Sequence, residues 1–237
     1  MPNWCYNNLR VETADNWSSD TDKMDKERNK DKKELAKFKK ENFKKVKPYN
    51  LTFEGSVPMP KELEIDSGTT TDVAIALLTA KKKDYNRLDK LLDYEWTEKE
   101  SGYSKNDAIS RKRELMIKYL EGSVDKDALS QGKQALENIK KYGCKDWYNW
   151  RIRNWGTKWD ACEGGMNDSE WEIEASFDTA WAPPTPWLEK VSAKYKRLKF
   201  TLEYTEEGMG FEGKAFAKAG DMIDNSMRVE HPDNFWD

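Results

Sequence analysis

The side chains best suited to chemistry gather in two stretches, Trp147 to Asp160 and Asp178 to Pro184. Together they offer Arg151, Arg153, Asn154, Lys158, Asp160 and Asp178 among several Trp and Tyr residues. Exposed Trp and Arg commonly anchor protein interfaces, and aromatics with Arg can stack on nucleic-acid bases. The set therefore reads as a recognition surface, with Trp150, Arg151, Arg153, Lys158, Asp160 and Asp178 as candidate binding residues. A structural reading competes with it: Trp155, Trp159 and Trp181 fill the core, Gly156 relieves a tight backbone, and Asn154 and Asp178 satisfy buried amides. Asp160 and Asp178 could also divide the roles of general acid and base, though their spacing does not demand it.

Other chemistries find less support. The only His is His231, next to Pro232 near the C-terminus, so any Ser-His or Cys-His pair would have to use it. Cys5, Cys144 and Cys162 stand alone without a C-x-x-C spacing. That pattern reads as reduced thiols inside a cell, not as a zinc site, with Cys5 and Cys162 as small buried residues in strands. No cofactor or metal is expected. Glu163-Gly164-Gly165 lacks the Lys and the helix of a phosphate loop. Gly208, Gly210 and Gly213 lie in an acidic hairpin, where turn geometry explains them better than a dinucleotide fingerprint.

Charge patterning supplies a second set of candidates. The chain has 237 residues, 41 Lys+Arg against 44 Asp+Glu, and a formal net charge of -3. That balance argues against coating nucleic acid by bulk charge. It hides a segregation, however. Ser18 to Lys47 holds twelve basic and seven acidic residues, whereas Asp160 to Asp237 holds eight basic and seventeen acidic ones. Lys37, Lys40 and Lys44 lie in the basic stretch, on either a solvated helix face or a binding patch. No run of about 18 apolar residues exists, so no membrane span is expected. Met1 to Tyr6 lacks a basic stretch followed by an apolar one, so a signal peptide is not expected either.

The elements that must position these residues follow from periodicity. Asn3 to Thr13 alternates as a strand, its Cys5, Asn7, Leu9, Val11 set turning apolar. Asn16 to Lys33 reads as a solvated loop or a frayed helix start, followed by a helix from about Lys32 to Lys45 with Leu35 and Phe38 buried. Pro58 and Pro60 force extended backbone. Thr71 or Asp72 caps a helix whose apolar face runs from Val73 to Leu91. Glu95 to Asp107 reads as a break. Two helices then form a hairpin, one capped by Asp107 with Met116 and Leu120 on its stripe, the other running from Asp125 to the stop at Gly143. Trp155 to Cys162 reads as a strand entered through Gly156, and Glu163 to Ser169 as a turn. Trp171 to Phe177 alternates as a half-buried antiparallel strand. A helix from Pro183 to about Tyr195, a strand at Leu198 to Tyr204, and a return strand at Phe211 to Ala219 follow, with a short edge strand after Asp221. The fold class is α+β: a ferredoxin-like antiparallel sheet with helices on one face and a helical-hairpin insertion.

Several blocks resemble one family. Met1-Pro2-Asn3-Trp4-Cys5-x-Asn7-x-Leu9-x-Val11 resembles the opening of the YubB-like proteins of phages, plasmids and genomic islands, which carry a ferredoxin-like domain. Pro58-Met59-Pro60, Tyr148 to Asp160, Phe177 to Pro184 and Phe200 to Gly213 are similar in the same order. The resemblance implies a ferredoxin-like fold in a mobile-element setting and supplies no catalytic residues. Residues 1–237 then form one domain with insertions at about 14–47 and 97–142.

The resulting expectation is a phage or mobile-element accessory protein in the host cytoplasm. It binds, and thereby inhibits, a host protein or complex in the manner of counter-defence or anti-CRISPR proteins. The reading leans away from an enzyme. One alternative is a nucleic-acid-binding module with Lys37, Lys40, Lys44, Arg151 and Arg153 on phosphates. Another is a nucleotide-processing enzyme using Asp160 and Asp178.

Overall fold

A computed structural model describes residues 3–13, 21–43 and 51–228. In chain order the described elements are β1 (Trp4–Thr13), α1 (Thr21–Asn42), α2 (Thr69–Ala80), α3 (Asn86–Leu91), α4 (Glu95–Ser101), α5 (Ile109–Ser123), α6 (Lys126–Tyr142) and α7 (Trp147–Trp155). There follow β2 (Cys162–Asp168), β3 (Glu172–Ala180), α8 (Thr185–Lys194), β4 (Leu198–Glu206), β5 (Phe211–Lys218) and β6 (Asp221–Arg228). The contacts divide the chain into two units. Met1–Met59 and Arg151–Asp237 form the first, and Pro60–Trp150 the second. The segment 97–142, expected as an insertion, falls within the second unit.

In the first unit the six strands form an antiparallel sheet in the order β2-β3-β1-β4-β5-β6. Read from β4, the first four strands run 4-1-3-2. That is the split β-α-β arrangement of a ferredoxin-like fold, with β1 in the middle. β5 and β6 widen it on the β4 side. The alternation in the strands decides which face is covered. Cys5, Leu9 and Val11, then Ile173 and Phe177, then Leu198, Phe200 and Leu202 are all buried on one face. α1 and α8 lie over this face. Phe38 of α1 meets Phe200 and Tyr195 edge-on, with centroids 5.5 and 5.3 Å apart. Phe53 packs against Trp187 of α8 at 5.0 Å and against Trp155 at 5.7 Å. Buried aromatic area therefore replaces much of the missing aliphatic core.

The charge segregation is answered inside this unit. Lys32 and Lys39 of α1 pair with Glu170 and Asp168 at 2.6 and 2.5 Å. Arg197 reaches back to Asp31 and Glu27, and Lys194 to Glu41 at 2.7 Å. The basic segment is thus in part the counter-charge of the acidic one, and these pairs orient α1 on the sheet.

In the second unit α2 is the central helix, with α3, α5 and α6 against it. Ala76, Leu77, Ala80, Leu88, Leu91, Met116 and Leu120 form its core. Gly132 of α6 lets that helix approach closely: a Cβ there would stand 2.9 Å from the Ala74 Cβ. Asp125 caps α6 by accepting from Ala128 N at 2.7 Å, and Gly143 ends the helix with φ 70. Both were expected from the residue types. α5 and α6 succeed each other closely, and each packs on α2.

Several sequence expectations are corrected. α1 starts at Thr21, eleven residues earlier than expected; Glu27 and Asp31 of its polar first half pair with Arg197, and Lys32 pairs with Glu170. The single helix expected over Val73–Leu91 is two, α2 and α3, separated at Lys81–Tyr85, where Lys83 takes φ 65. The break at Glu95–Asp107 contains α4, where the Thr97 side chain is tied to Tyr94 O and the Tyr103 hydroxyl, each at 2.6 Å. Neither Thr71 nor Asp72 caps α2; Gly68 precedes its first turn, and Thr71 donates to Asp66 O. Asp107 does not cap α5, whose N-cap is Ala108; its carboxylate accepts from Ser104 N. Trp155 is the last residue of α7, not the first of a strand. Gly156, at φ 88, stops the helix, and its N–H donates to Arg151 O and Ile152 O. The expected turn at Glu163–Ser169 is largely β2, bulged between Cys162 and Gly164. Its glycine serves close approach: a Cβ on Gly164 would lie 2.4 Å from Ser176 O.

Candidate interaction face

The expected site residues separate in the structure. Trp150 is buried in the second unit. Arg151 lies 4.9 Å over the Trp155 ring, while Arg153 is exposed near the end of α7. Lys37 and Lys40 are exposed on α1, and Lys44 lies outside the described residues, as does His231. Asp160 accepts from the Thr52 hydroxyl at 2.6 Å and from Phe53 N at 2.7 Å. It is thereby committed to holding the turn that carries buried Phe53. Asp178 sits on β3 opposite Tyr6 and Cys162. Burial, and secondarily the charge of Glu163, raises its carboxyl above the ordinary value. The aromatic core also differs from expectation. Trp155 is fully buried and donates to Val57 O at 2.9 Å, but Trp159 and Trp181 are 36% and 43% exposed. Trp187, fully buried on α8, takes the place expected for them.

The exposed face of the sheet emerges from the strand period instead. Residues alternating with the buried set point away from α1 and α8. On β1 these are Trp4, Tyr6, Asn8 and Arg10, and on β3 Glu172, Glu174, Ser176 and Asp178. β4 adds Thr201, Glu203 and Thr205, and β5 adds Glu212, Lys214 and Phe216. Ile223, Asn225 and Met227 of β6 complete the row.

Three zones follow across this face. At one end Trp4 packs on Trp159, centroids 5.9 Å apart, with Lys158 Nζ 4.2 Å over the Trp159 ring and Tyr6 half-exposed beside them. In the middle Arg10 forms a two-pronged pair with Glu172 at 2.8 and 2.7 Å, and Lys214 meets Glu203 at 2.6 Å. Their partners raise the Arg10 guanidinium and lower the Glu172 carboxyl, so both stay charged. Along the far flank lie Phe216, Ile223 and Met227, all exposed. Two adjoining troughs of about 740 and 480 Å³ occupy the middle of the face and share Asn8, Glu203 and Lys214.

Trp, Tyr, Phe, Met and Arg, all present on this face, are residue types enriched where proteins bind one another. A single strand of nucleic acid would meet Glu172, Glu174 and Asp178 on β3, where stacking aromatics would be needed and phosphates are repelled. Among the described residues no three His, Cys, Asp or Glu side chains gather to hold a metal ion. Among the same residues no helix is long and apolar enough to cross a membrane.

Comparison with known proteins bears on the same strands. Residues 154–233 match the family model described as "Ferredoxin-like domain in Api92-like protein". That stretch carries a ferredoxin-like domain. It contains five of the six strands and α8; β1 and α1 lie outside the match. The chain also aligns with the crystal structure of a protein api92 from Yersinia pseudotuberculosis over 98% of this chain and 99% of that one, at 14% identity and a TM-score of 0.37. No curated protein matches.

Of the expected site residues, Lys158 and Asp178 come to the aromatic end of the open face. Sequence reasoning missed Tyr6, Arg10, Phe216, Ile223 and Met227. Their signal is the half of each strand's alternation that points away from the buried set.

Proposed function

We propose that this chain is a protein-binding module that engages a partner protein with the open face of its sheet. The observation that carries the reading is the aromatic end of that face, where Trp4 packs on Trp159 and Tyr6 lines a trough that also holds Glu203, Glu212 and Lys214. Partly exposed Trp and Tyr bury large area on binding at low cost in side-chain freedom. In this reading the partner is a host protein or complex in the host cytoplasm, and occupation of its surface inhibits it. The phage or mobile-element setting is supported by the resemblance of the sequence blocks to YubB-like proteins.

The test is comparative capture from host lysate. Wild type, a Tyr6→Ala/Trp159→Ala variant and a Lys37→Glu/Lys40→Glu variant are used as baits, with mass spectrometry as readout. The open-face variant should lose a stoichiometric partner that the α1 variant retains. Retention by the open-face variant, or loss only from the α1 variant, refutes the reading. Titration with labelled RNA and DNA at low salt should show no binding; a steep salt slope would support the nucleic-acid alternative instead.

A further inference from the structure

The two edges of the sheet differ. β2 is bulged between Cys162 and Gly164, and Glu163 takes φ 32 there, so its outer edge is irregular. Bulges of this kind blunt an edge against pairing. β6 has no such bulge. All eight residues from Asp221 to Arg228 oppose β5 one for one, and the strand contains no Pro, Gly or Lys. Among the described residues it is the outermost strand. Ile223 and Met227 are 66% and 65% exposed on the open face, with Asn225 between them. A regular edge bearing exposed apolar side chains is a template for another strand.

We propose that a second copy of this chain pairs antiparallel with β6, joining the two sheets across a two-fold axis. The occupant follows from the strand's own sequence. In an antiparallel ladder bonded and non-bonded pairs alternate, so a two-fold axis normal to the sheet must centre on one residue. Centring on Asn225 sets Ile223 opposite Met227 of the second copy, and Met227 opposite its Ile223. Asn225 then meets its own copy, and on the helix-bearing face Asp224 meets Ser226. The apolar pairs fall together, and none of these positions sets like charges against each other. Centring one residue earlier sets Asp224 against Asp224, which repels. Centring one residue later separates Ile223 from Met227. The arrangement also joins the Phe216, Ile223 and Met227 flanks of the two copies into one apolar strip.

The test uses the full chain, with molar mass measured by sedimentation across the micromolar range. Self-association should depend on concentration, and an Ile223→Lys/Met227→Lys variant with unchanged circular dichroism should weaken it about tenfold or more. In a Cys162→Ser background, Asn225→Cys should form a disulfide-linked dimer on mild oxidation. Ser226→Cys, which faces Asp224 of the second copy, should not. A chain that stays monomeric at its highest concentration overturns the proposal. So does a dimer that the Lys variant leaves intact and Asn225→Cys does not cross-link.

Discussion

Replacing Asp160 by Ala should unfold this protein's first unit more easily without touching its open face. The carboxylate receives the Thr52 hydroxyl at 2.6 Å and Phe53 N at 2.7 Å, so one side chain fixes the turn at Thr52–Phe53. Phe53 is fully buried and packs on Phe177, Trp155 and Trp187. Without Asp160 its N–H loses its acceptor in a place that water reaches poorly. Hydrogen bonds to a charged acceptor contribute about 1.5–3 kcal/mol each, and an orphaned buried donor costs about 1–3 kcal/mol. Asp160 is only half-buried and the Thr52 hydroxyl can turn to water, so a total of about 2–4 kcal/mol is expected. For a chain of this size that corresponds to a Tm lower by about 5–15 °C. Urea unfolding followed by circular dichroism measures it. Asn at the same position keeps one acceptor and should lose about half as much. Thr52→Val shares the interaction, so its cost and that of Asp160→Ala should sum to more than the double variant loses. A loss below about 0.5 kcal/mol, or strict additivity with Thr52→Val, would refute the structural role of this carboxylate.

Three further outcomes follow from the geometry. Gly213→Ala should cost about 1–3 kcal/mol, because its Cβ would fall 2.3 Å from the Tyr204 hydroxyl and force the ring off Asp224, to which it donates at 2.7 Å; thermal unfolding reads this. Glu27, Glu41 and Glu172 are held below the ordinary value of 4.5 by hydrogen bonds from Lys30, Lys194 and Arg10, the first cause for each. Their contribution is complete above that value and is lost as pH falls through the lowered ones. The urea midpoint should therefore drop on acidification, less steeply in high salt, and a flat profile would contradict it. Burial pushes the Cys5 thiol up to about 12 from 9.0, so alkylation at neutral pH should leave it unmodified in the folded chain. Its share of stability is whole below 9.0 and fades as pH climbs towards 12, which a midpoint series in alkaline buffer would show.

Much of the first unit was legible because a half-buried strand writes its burial into every second residue. β1, β3 and β4 alternate, and the structure buries the set that the alternation selected. Local chemistry also fixed Asp125 and Gly143 as the ends of α6. The failures share one cause. Gly164 looks like a turn residue, yet it lies in a strand because the Ser176 carbonyl leaves no room for a Cβ. The polar start of α1 looks like a solvated loop or a frayed helix start, yet it is helix, with Glu27 and Asp31 paired to Arg197 just before β4 and Lys32 paired to Glu170 between β2 and β3. Trp159 and Trp181 look like core, but the buried space is taken by Trp155, Trp187 and Phe53.

The candidate site shows the same division. Residue types named Lys158 and Asp178, but could not say that Asp160 would turn inward to Thr52 and Phe53 while Tyr6, Arg10 and Phe216 shared one surface. By itself the sequence determined the α+β class, the strand periods and the uneven charge, since these depend on residues a few positions apart. The tertiary structure alone decided which Trp residues are buried, that the basic helix answers the acidic segment, and which sheet face is left exposed among the described residues. Those outcomes rest on contacts between residues more than a hundred positions apart, such as Lys32 with Glu170 and Trp4 with Trp159, and no local spacing encodes such pairs.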